Sequence, residues 1–569
     1  MSAAEGSMRP VVFSSLIAAV VLCLMLALSP SARAAHGPTT VLADGTMRTT
    51  YRIGPLEVTS GQNRIKNNPI AGASRPSVDG WITRIKPDLV YEDGTVPSSS
   101  KVMFHHGVWV NMSRGENFFA TGEEKTMMDF PAGYAYRYKA SDAWMLNQMI
   151  HNLTPEPMSL YATYTIDFIP ATDPAAAGMK EVKPIWMDVE RGSGYPVFDS
   201  YRDEGGPDGE FVYPQDRPNA YPPGVHKNEM TIPRAGVLIG TTGHVHTGGL
   251  STDLYLSRPG ASYGGPTCEQ PQSFDEQIGK FKAAVKKLNA KLAKLNRAMS
   301  PKKLRLQRKA STSKKFRKSV RQKRARKAKL KKAKRKQVSL LKAVMKKDND
   351  AKNAYAACVD TQPEVTGNRV HLFESTAHYF EPAGPVSWDM AMFSTRDDWR
   401  VQVKAGDKLE IQTTYETKIA SWYENMGINI VYWSDETNGR DPYVTKVDTE
   451  GVLNHGHYAE NDDHGGSTPA VGPDPGSLAD GVTPGGPFTI SGFSYGSGGD
   501  FRLPGAAGRP PVVKQGQTFT FQLSTFDQTK EIWHSLTSCK SPCNKSTGIA
   551  YPIADGDFQF DSGQLGNLN

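Results

Sequence analysis

One segment of the chain differs sharply in charge from everything around it. Residues 275–355 contain 31 Lys and Arg against 4 Asp and Glu, a net charge of +27. The rest of the 569-residue chain has 36 basic and 54 acidic residues and is therefore acidic. So dense a run of one charge cannot be buried in a core without partners, so this segment is expected to project into solvent.

The same segment shows the hydrophobic spacing of paired helices. A first set of apolar residues alternates in steps of three and four, the heptad pattern of a helix that packs along one seam. Its members are Ile278, Phe281, Val285, Leu288, Leu292, Leu295 and Met299. "SPKK" (300–303) is expected to break this helix, and a second helix over 313–356 returns through Phe316, Val320, Leu330, Leu341 and Met345. The sequence predicts a helical hairpin over 273–357.

The chain on both sides of the hairpin has the pattern of β-sandwiches. Short stretches that alternate apolar and polar residues recur between Gly- and Pro-rich turns, as in "LYATYTIDF" (160–168) and "STDLYL" (251–256). The pattern resumes after the hairpin, for example in "KLEIQTTYE" (408–416). We expect a mainly β protein with the hairpin inserted in a loop of the second sandwich.

The first residues have the features of a secretory signal. Arg9 precedes the apolar run "VVFSSLIAAVVLCLMLALS", and Ala32-Arg33-Ala34 gives a small-x-small cleavage pattern. The sequence therefore predicts a signal peptide over 1–34 and a mature chain that is secreted. No second long apolar run follows.

The cysteines fit an oxidising compartment. Cys23 lies in the predicted signal, which leaves Cys268, Cys358, Cys539 and Cys543. An even number in an exported chain favours disulfides. We expect Cys268–Cys358 at the base of the hairpin and Cys539–Cys543 near the C-terminus, with free or metal-bound thiols as the alternative.

Several histidines occur in patterns that suit metal binding. "KVMFHHGVWVN" (101–111) places His105 beside His106, which in a flat strand point to opposite faces. The simple interpretation is one core and one surface histidine; the alternative is a metal site where the backbone bends enough for both to turn inward. "TTGHVHTGG" holds His244 and His246 two apart, which on a strand puts both on one face, a natural half-site for copper or zinc.

Two further residues complete the set. His151 lies in "LNQMIHNL", and Met426 lies in "SWYENMGINIVYW" on or beside a strand. A thioether in such a site favours Cu(I) over zinc. Taken alone, His151 is equally explained as a strand-edge histidine and Met426 as a core methionine.

In this order, the residues resemble the copper type II, ascorbate-dependent monooxygenases, which include the peptidylglycine alpha-hydroxylating and dopamine beta-monooxygenases. "LNQMIHNLTPEPMSLYATYTIDF" and "DDWRVQVKAGDKLEIQTTYET…NMGINIVYW" are similar to segments of that family. The resemblance covers roughly 50–260 and 369–434. It implies two tandem jelly-roll sandwiches, each carrying one copper, over 37–205 and 206–464, the second including the insert.

The resemblance also implies a role for each ligand and a class of reaction. His105, His106 and His151 would bind a copper that passes an electron. His244, His246 and Met426 would hold the copper that activates dioxygen and removes hydrogen from a C–H bond. The expected cofactors are therefore two copper ions with ascorbate or another one-electron donor, and the expected substrate is a small organic molecule.

The sequence departs from the family pattern in several places. The peptide-amidating members carry an arginine near the first histidine of the His-x-His pair, where this chain has Thr241, Thr242 and Gly243. Gly427 follows Met426 where a cysteine would be expected, and the family's many disulfides are missing. These differences argue against peptide amidation.

The C-terminal third contains weaker signals. "LNHGHYAENDDHGG" places His455, His457 and His464 among acidic residues, as a possible extra metal site or a solvated loop. Residues 465–487 are rich in Gly, Pro and Asp and are expected to form a linker or a long loop. Residues 488–569 resemble a partial cupredoxin, with His534 where the first copper histidine of that fold stands, although no later His or Met completes its copper site.

Three functions therefore remain open from sequence alone. The first is an exported dicopper monooxygenase, and the second is a copper-binding or delivery protein without turnover. The third is attachment to an anionic surface, either membrane or wall polymer, through residues 275–355. The absence of aromatic residues from 317–354 argues against a binder of single-stranded nucleic acid.

Overall fold

The computed structural model describes most of the chain between residues 36 and 455. The gaps fall at 60–61, 63, 98–101, 153–156, 262–267, 269–271, 361, 364, 381–389 and 419–420, and the described part continues with 487–491, 494–495, 514, 516–518 and 520–525. Several predicted features lie outside these residues: the signal peptide, nearly all of the 465–487 linker, His457, His464, His534, Cys539 and Cys543.

The described chain is mainly β, as the sequence predicts. The strands that precede the helices are β1 Thr40–Val41, β2 Met47–Val58, β3 Ile65–Ile70, β4 Gly80–Val90, β5 Val102–Asn111, β6 Glu116–Thr121, β7 Met128–Asp129, β8 Tyr134–Tyr138, β9 Trp144–Asn152, β10 Met158–Pro170, β11 Lys180–Asp188, β12 Phe198–Ser200, β13 Glu210–Tyr213, β14 Glu229–Thr231, β15 Gly236–Val245 and β16 Gly249–Ser257.

Strands resume immediately after the helical segment. They are β17 Val365–Thr366, β18 Arg369–Tyr379, β19 Met390–Ser394, β20 Val401–Val403, β21 Lys408–Glu416, β22 Trp422–Asn425, β23 Gly427–Ser434, β24 Val452–Asn454, β25 Phe488–Ser491, β26 Ser494–Tyr495 and β27 Phe521–Leu523. In the C-terminal part, β25 pairs antiparallel with β26 and parallel with β27.

Two sheets position the candidate site. The first is the four-stranded sheet β3-β9-β5-β6. The second contains β23, which pairs antiparallel with β11 on one edge and with β15 on the other. β11 also pairs in parallel with β8, so strands from both predicted sandwiches share one hydrogen-bonded system.

The two predicted sandwiches also share a hydrophobic core. Val237 and Ile430, from strands of the second, are buried in the same cluster as Trp109, Phe118 and Tyr164 from the first. Each fully buried aromatic side chain contributes on the order of 2–3 kcal/mol to folding. The boundary at 205/206 stays a prediction.

The basic segment forms a compact unit of its own, comprising residues 262–364 and 443–446. It contains α1 Asp275–Ala298, α2 Pro301–Lys309 and α3 Ser313–Asp360. Every residue of the first predicted heptad set is buried or half-buried, as expected for a packed seam. Cys268 and Cys358 form the predicted disulfide.

The predicted break at "SPKK" is present, since α1 ends at Ala298, but the short helix α2 that follows it was not predicted. Pro301 takes the first-turn position of α2, where its missing N–H has no helical partner to lose. One detail of the second predicted helix is wrong. Met345 is 42% exposed, and Val344 is the more buried of the two neighbours. No helix among the described residues is long and apolar enough to cross a membrane.

Candidate metal centre

The adjacent histidines of β5 are brought to one side by a β-bulge. The pairing of β5 with β9 joins Met103 to His151 and then His106 to Met149, so β5 carries one more residue than its partner over this interval. A bulge of this kind breaks the strict alternation of side chains. His105 and His106 are both buried, and their Nδ1 atoms lie 3.2 Å apart. The expectation that both turn inward is met by this local bend.

A buried carboxylate supports the bulge. The ladder register skips Phe104, and the Phe104 N–H donates to Glu123 Oε2 at 2.6 Å. Lys125 Nζ lies 3.1 Å from Glu123 Oε1, and both side chains are about 2% exposed. Lys125 adopts a positive φ of 49°, unusual for a residue with a side chain. The loop after β6 therefore buries a carboxylate that accepts a hydrogen bond from the backbone N–H left unpaired by the bulge.

Five histidines form one continuous cluster. His151, which the register places opposite Met103, stacks on His105 with ring centroids 4.7 Å apart. His246 meets His105 edge-on at 4.3 Å and His244 at 5.2 Å. The family resemblance implies that these histidines belong to two different metal sites, and the structure brings histidines of both sets into direct contact.

The position of Met426 follows from strand register. β15 pairs with β23 so that His244 faces Ile428 and Val245 faces Gly427. Extending this register by one pair puts Met426 opposite His246. Because side chains alternate along a strand, His244, His246, Ile428 and Met426 share one face. Met426 is 3% exposed and lines the same cavity as His106 and His244.

One buried hydroxyl holds the two ends of this face together. Tyr415 Oη accepts hydrogen bonds from the backbone N–H of His246 at 3.0 Å and of Met426 at 3.1 Å. It donates to the Met426 carbonyl at 2.7 Å. Burial raises the pKa of Tyr415 above its ordinary value, so the hydroxyl keeps its proton.

Hydrogen bonds to Nδ1 fix the tautomers of the His-x-His pair. His246 Nδ1 donates to the Glu424 carbonyl at 2.6 Å, and a carbonyl can only accept. His244 Nδ1 lies 2.9 Å from Glu124 Oε1 and donates to that carboxylate. Both Nε2 atoms then carry lone pairs, and His244 Nε2 is buried with no hydrogen-bond partner among the described residues. Outer partners of this kind orient metal-binding imidazoles.

His106 has the opposite tautomer, with its proton on Nε2 and its lone pair on Nδ1. Asn147 Nδ2 donates to Asn67 Oδ1 at 2.8 Å, which turns Asn147 Oδ1 toward the histidine. His106 Nε2 donates to that oxygen at 3.2 Å. Its Nδ1 therefore keeps a lone pair, directed at His105. His151 Nε2 is buried without a hydrogen-bond partner in the described part of the chain.

Burial favours the neutral form of four histidines of the cluster. Loss of hydration, and next the neighbouring His244, lowers the pKa of His106 to about 4, and burial followed by His106 lowers the pKa of His151 to about 3. The pKa values of His105 and His246 fall well below the ordinary range for the same first reason, with other cluster histidines adding to the effect. Metal ligation needs the neutral form.

The donor types fit copper, although the ligand geometry is not preformed. Neutral imidazoles with lone pairs directed inward, together with one thioether, are ligands that copper accepts in both oxidation states. Among the described residues, however, no three His, Cys, Asp or Glu side chains are arranged to hold one ion as they stand. Ion binding would require side-chain rotation within the cluster.

The structure leaves no room for a larger side chain at two glycines near the cluster, where the family resemblance would lead one to expect another residue. A Cβ at Gly427 would lie 2.5 Å from Thr413 Cβ, and a Cβ at Gly243 would lie 2.2 Å from Thr252 Oγ1. Neither position has room for a cysteine or a longer side chain, because a neighbouring strand packs against it.

Sequence reasoning missed the loop that supports the cluster. Glu123, Glu124 and Lys125 are consecutive charged residues, a pattern typical of a surface turn, yet all three are buried. The usable signal is their position between the apolar stretches "NFFAT" and "MMDF".

The other histidine predictions are only partly described. His455 is buried and meets Phe380 edge-on at 5.7 Å. With His457 and His464 outside the described residues, the extra metal site stays a prediction. His371 lies 2.9 Å from Asp253 Oδ1 and stacks on Tyr255, away from the cluster.

No family model matches the chain. No curated protein matches it either.

The histidine pKa values predict acid destabilisation of the metal-free protein. An unfolded histidine titrates near 6.5, while His106 and His151 titrate near 4 and 3 when folded. As pH falls below 6.5, the unfolded chain takes up protons that the folded chain does not. The free energy of unfolding should therefore fall, by about 2 kcal/mol for each group by pH 5. Urea unfolding at pH 8 and pH 5 measures this.

The matched variant is His151→Leu, which removes one titrating group and keeps an apolar side chain. Its loss of stability between pH 8 and pH 5 should be smaller than that of the wild type by about 2 kcal/mol. Identical losses for the two proteins would contradict the assignment of His151 as a buried neutral group.

The hydrogen bonds of the Tyr415 hydroxyl predict that its removal will lower the stability of the protein strongly. Tyr415→Phe leaves two buried N–H groups without an acceptor, which should lower the free energy of unfolding by about 2–4 kcal/mol. Tyr379→Phe is the control, because the Tyr379 hydroxyl makes a single hydrogen bond among the described contacts, to the Gly249 carbonyl, and its loss should cost about 1 kcal/mol. Equal losses of stability for the two variants in denaturant unfolding would show that the Tyr415 hydroxyl does not hold the backbone at His246 and Met426 together.

Proposed function

We propose that this chain is an exported copper-dependent monooxygenase that hydroxylates a C–H bond of a small organic molecule, using dioxygen and a one-electron donor such as ascorbate. The observation that carries the proposal is that five histidines, separated by up to 141 positions in the sequence, contact one another in one cluster, with the buried Met426 on the cavity beside it. The proposed ligands are His105, His106, His151, His244, His246 and Met426.

The hydrogen bonds around the cluster support an assignment of donor atoms. His106 would contribute Nδ1, because its Nε2 is held by Asn147. His244 and His246 would contribute Nε2, because their Nδ1 atoms donate to Glu124 and the Glu424 carbonyl. His105 and His151 would complete the first set, and Met426 the second.

Copper held in this way would supply one-electron redox chemistry and activation of dioxygen. The protein's own contribution is to favour the neutral form of the four most buried histidines, to orient the rings by hydrogen bonds, and to limit the access of water to the cluster. Hydroxylation places one oxygen atom in the product and reduces the other to water, which takes two electrons and two protons. The external donor provides the electrons.

The finer architecture belongs to the same proposal. Two jelly-roll sandwiches would each bring one ligand set to their shared boundary, and a partial cupredoxin-like module would follow at the C-terminus. The arrangement of β11, hydrogen-bonded to β8 and β23, supports a fixed relation between the two sandwiches.

A second candidate is copper binding or delivery without turnover, on the same fold. The observation that favours it is the contact between His105 and His246, which brings the two sets close enough to act as one store of donors. Copper content without oxygen uptake would identify this function.

The basic hairpin supports an additional role in attachment to an anionic surface, either membrane or wall polymer. All of its Lys and Arg side chains are exposed except those of Lys323, Lys327 and Lys334, which are half-buried. Each such charge near an anionic membrane contributes on the order of 1 kcal/mol. Many weak contacts of this kind would hold the protein at a surface without a specific pocket.

The copper assignment predicts the number of copper ions bound per chain and a lower number when one ligand is removed. Purified protein reconstituted with Cu(I) should hold about two copper ions per chain by elemental analysis, from two sets of three ligands. His244→Ala should reduce this by about one ion and abolish oxygen uptake driven by ascorbate, because it removes one ligand of the oxygen-activating set.

His371→Ala is the control, since His371 pairs with Asp253 outside the cluster and its removal should change neither quantity. Protein that holds zinc only, or no metal after reconstitution, would end the monooxygenase proposal.

The charge of the hairpin predicts salt-sensitive binding. Full-length protein should sediment with vesicles rich in anionic lipid at low salt and release from them near 1 M salt, where the Debye length falls to about 3 Å. Replacing residues 275–355 with a short Gly/Ser bridge should abolish binding and leave copper content unchanged, because no proposed ligand lies in that range.

A second variant tests charge without removing the helices. Gln replaces the Lys and Arg residues of 314–336, since Gln is also a good helix former. Retained binding by both variants at low salt would show that another surface makes the attachment.

A further inference from the structure

A cavity opens beside the histidine cluster, between the first sheet and the β15–β23 face. Its volume is about 320 Å³, near the lower end of the range of about 300–1,000 Å³ that small-molecule sites occupy. His106 lies on one wall, and His244 and Met426 on another. A molecule bound here would therefore contact residues from both proposed ligand sets.

Strand alternation explains why the walls are apolar. On β5, Val108 and Val110 follow His106 on the same face, and Met145 of β9 is paired with Val110. On β23, Ile428 and Ile430 continue the face of Met426. The reacting position is thus surrounded by branched and thioether side chains that bind through apolar contact.

The lining carries little charge. Among the described residues that line the cavity, Glu124 is the single carboxylate, and none is Lys or Arg. Glu124 is 2% exposed, and its Oε1 already accepts hydrogen bonds from Gly122 N–H and His244 Nδ1. An anionic ligand would lose its hydration here without gaining a cationic side chain, and a cationic ligand would have to share the one carboxylate with His244.

Two hydroxyls in the lining are left for a ligand. The Oγ1 atoms of Thr126 and Thr242 are both buried without a hydrogen-bond partner in the described part of the structure, and Thr242 is the one next to the proposed ligands. Thr242 faces Ile430 across the ladder and stands two residues before His244, on the same face. A hydroxyl can donate or accept, so it suits a neutral alcohol, phenol or carbonyl.

We infer that this cavity takes an uncharged, largely apolar molecule with one hydrogen-bonding group, which Thr242 Oγ1 meets while the apolar part lies toward His244 and Met426. As a statement about the substrate, this inference rests on the proposed function. It excludes the carboxylate and ammonium substrates that a charged anchor would select.

Four probes of nearly equal size test the inference on the full-length, metal-free protein. They are 2-phenylethanol, ethylbenzene, phenylacetate and 2-phenylethylamine, with binding followed by titration calorimetry and ligand-observed NMR. 2-Phenylethanol should bind at least about tenfold more tightly than either charged probe. Equal or tighter binding of phenylacetate or 2-phenylethylamine would overturn the inference.

Variants locate the binding and isolate the hydroxyl. Thr242→Val keeps the shape of the side chain. It should weaken the binding of 2-phenylethanol by about three- to tenfold and leave the binding of ethylbenzene unchanged. Thr242→Ser keeps the hydroxyl and should bind 2-phenylethanol more tightly than Thr242→Val. Ala120→Phe fills the cavity and should remove binding of both neutral probes, with circular dichroism confirming the fold.

The outcomes separate this inference from the proposed function. Neutral-probe selectivity in a protein that never retains copper would support the cavity assignment and refute the monooxygenase. Copper-dependent oxygen uptake in a protein that does not bind the neutral probes, or binds them equally after Ala120→Phe, would refute the cavity assignment alone.

Discussion

The geometry of the candidate site depends first on the two-sided pairing of β23. This strand is buried along its whole length and is hydrogen-bonded to β11 on one edge and β15 on the other. Its register pairs Ile428 with Asp188 on β11 and with His244 on β15. Extended by two residues, the same register places Met426 opposite His246. Side chains on a strand alternate between faces, so a slip of one residue would turn Met426, Ile428 and Ile430 away from the cavity. A strand fixed on both edges prevents that slip.

Polar groups inside the protein are used to position donors. Burial raises the pKa of Glu123 above its ordinary value, against the opposing effect of Lys125. Such a pair adds little net stability compared with apolar residues of similar volume, while removing one partner is strongly destabilising. Its observable result is a bulge that turns two neighbouring histidines to the same side. Glu124, the next residue, orients His244, so this one loop contacts both ligand sets.

The parts of the site that sequence could predict are those set by local spacing. His244 and His246 are two apart on a strand and share a face whatever surrounds them, and the heptad spacing of Ile278 to Met299 produced a helical seam. The shared side of His105 and His106 was not fixed in this way, since it depends on a bulge whose acceptor, Glu123, lies on another segment. The cavity depends on two sheet faces that are distant in sequence. The role of Glu124 could not be predicted, because three adjacent charged residues usually lie in solvent.

The electrostatics of the cluster bear on which ion it would accept. The same burial that lowers the histidine pKa values penalises any positive charge placed among them, and the penalty grows steeply with the charge of the ion. Glu124 is the one carboxylate bonded directly to a cluster histidine among the described contacts. A site with five imidazoles, a thioether and so little compensating charge should therefore discriminate against divalent zinc more strongly than against Cu(I), for which the soft sulfur of Met426 is also the better donor. Low charge and donor softness both favour the reduced ion, which is the form that the proposed reaction with dioxygen requires.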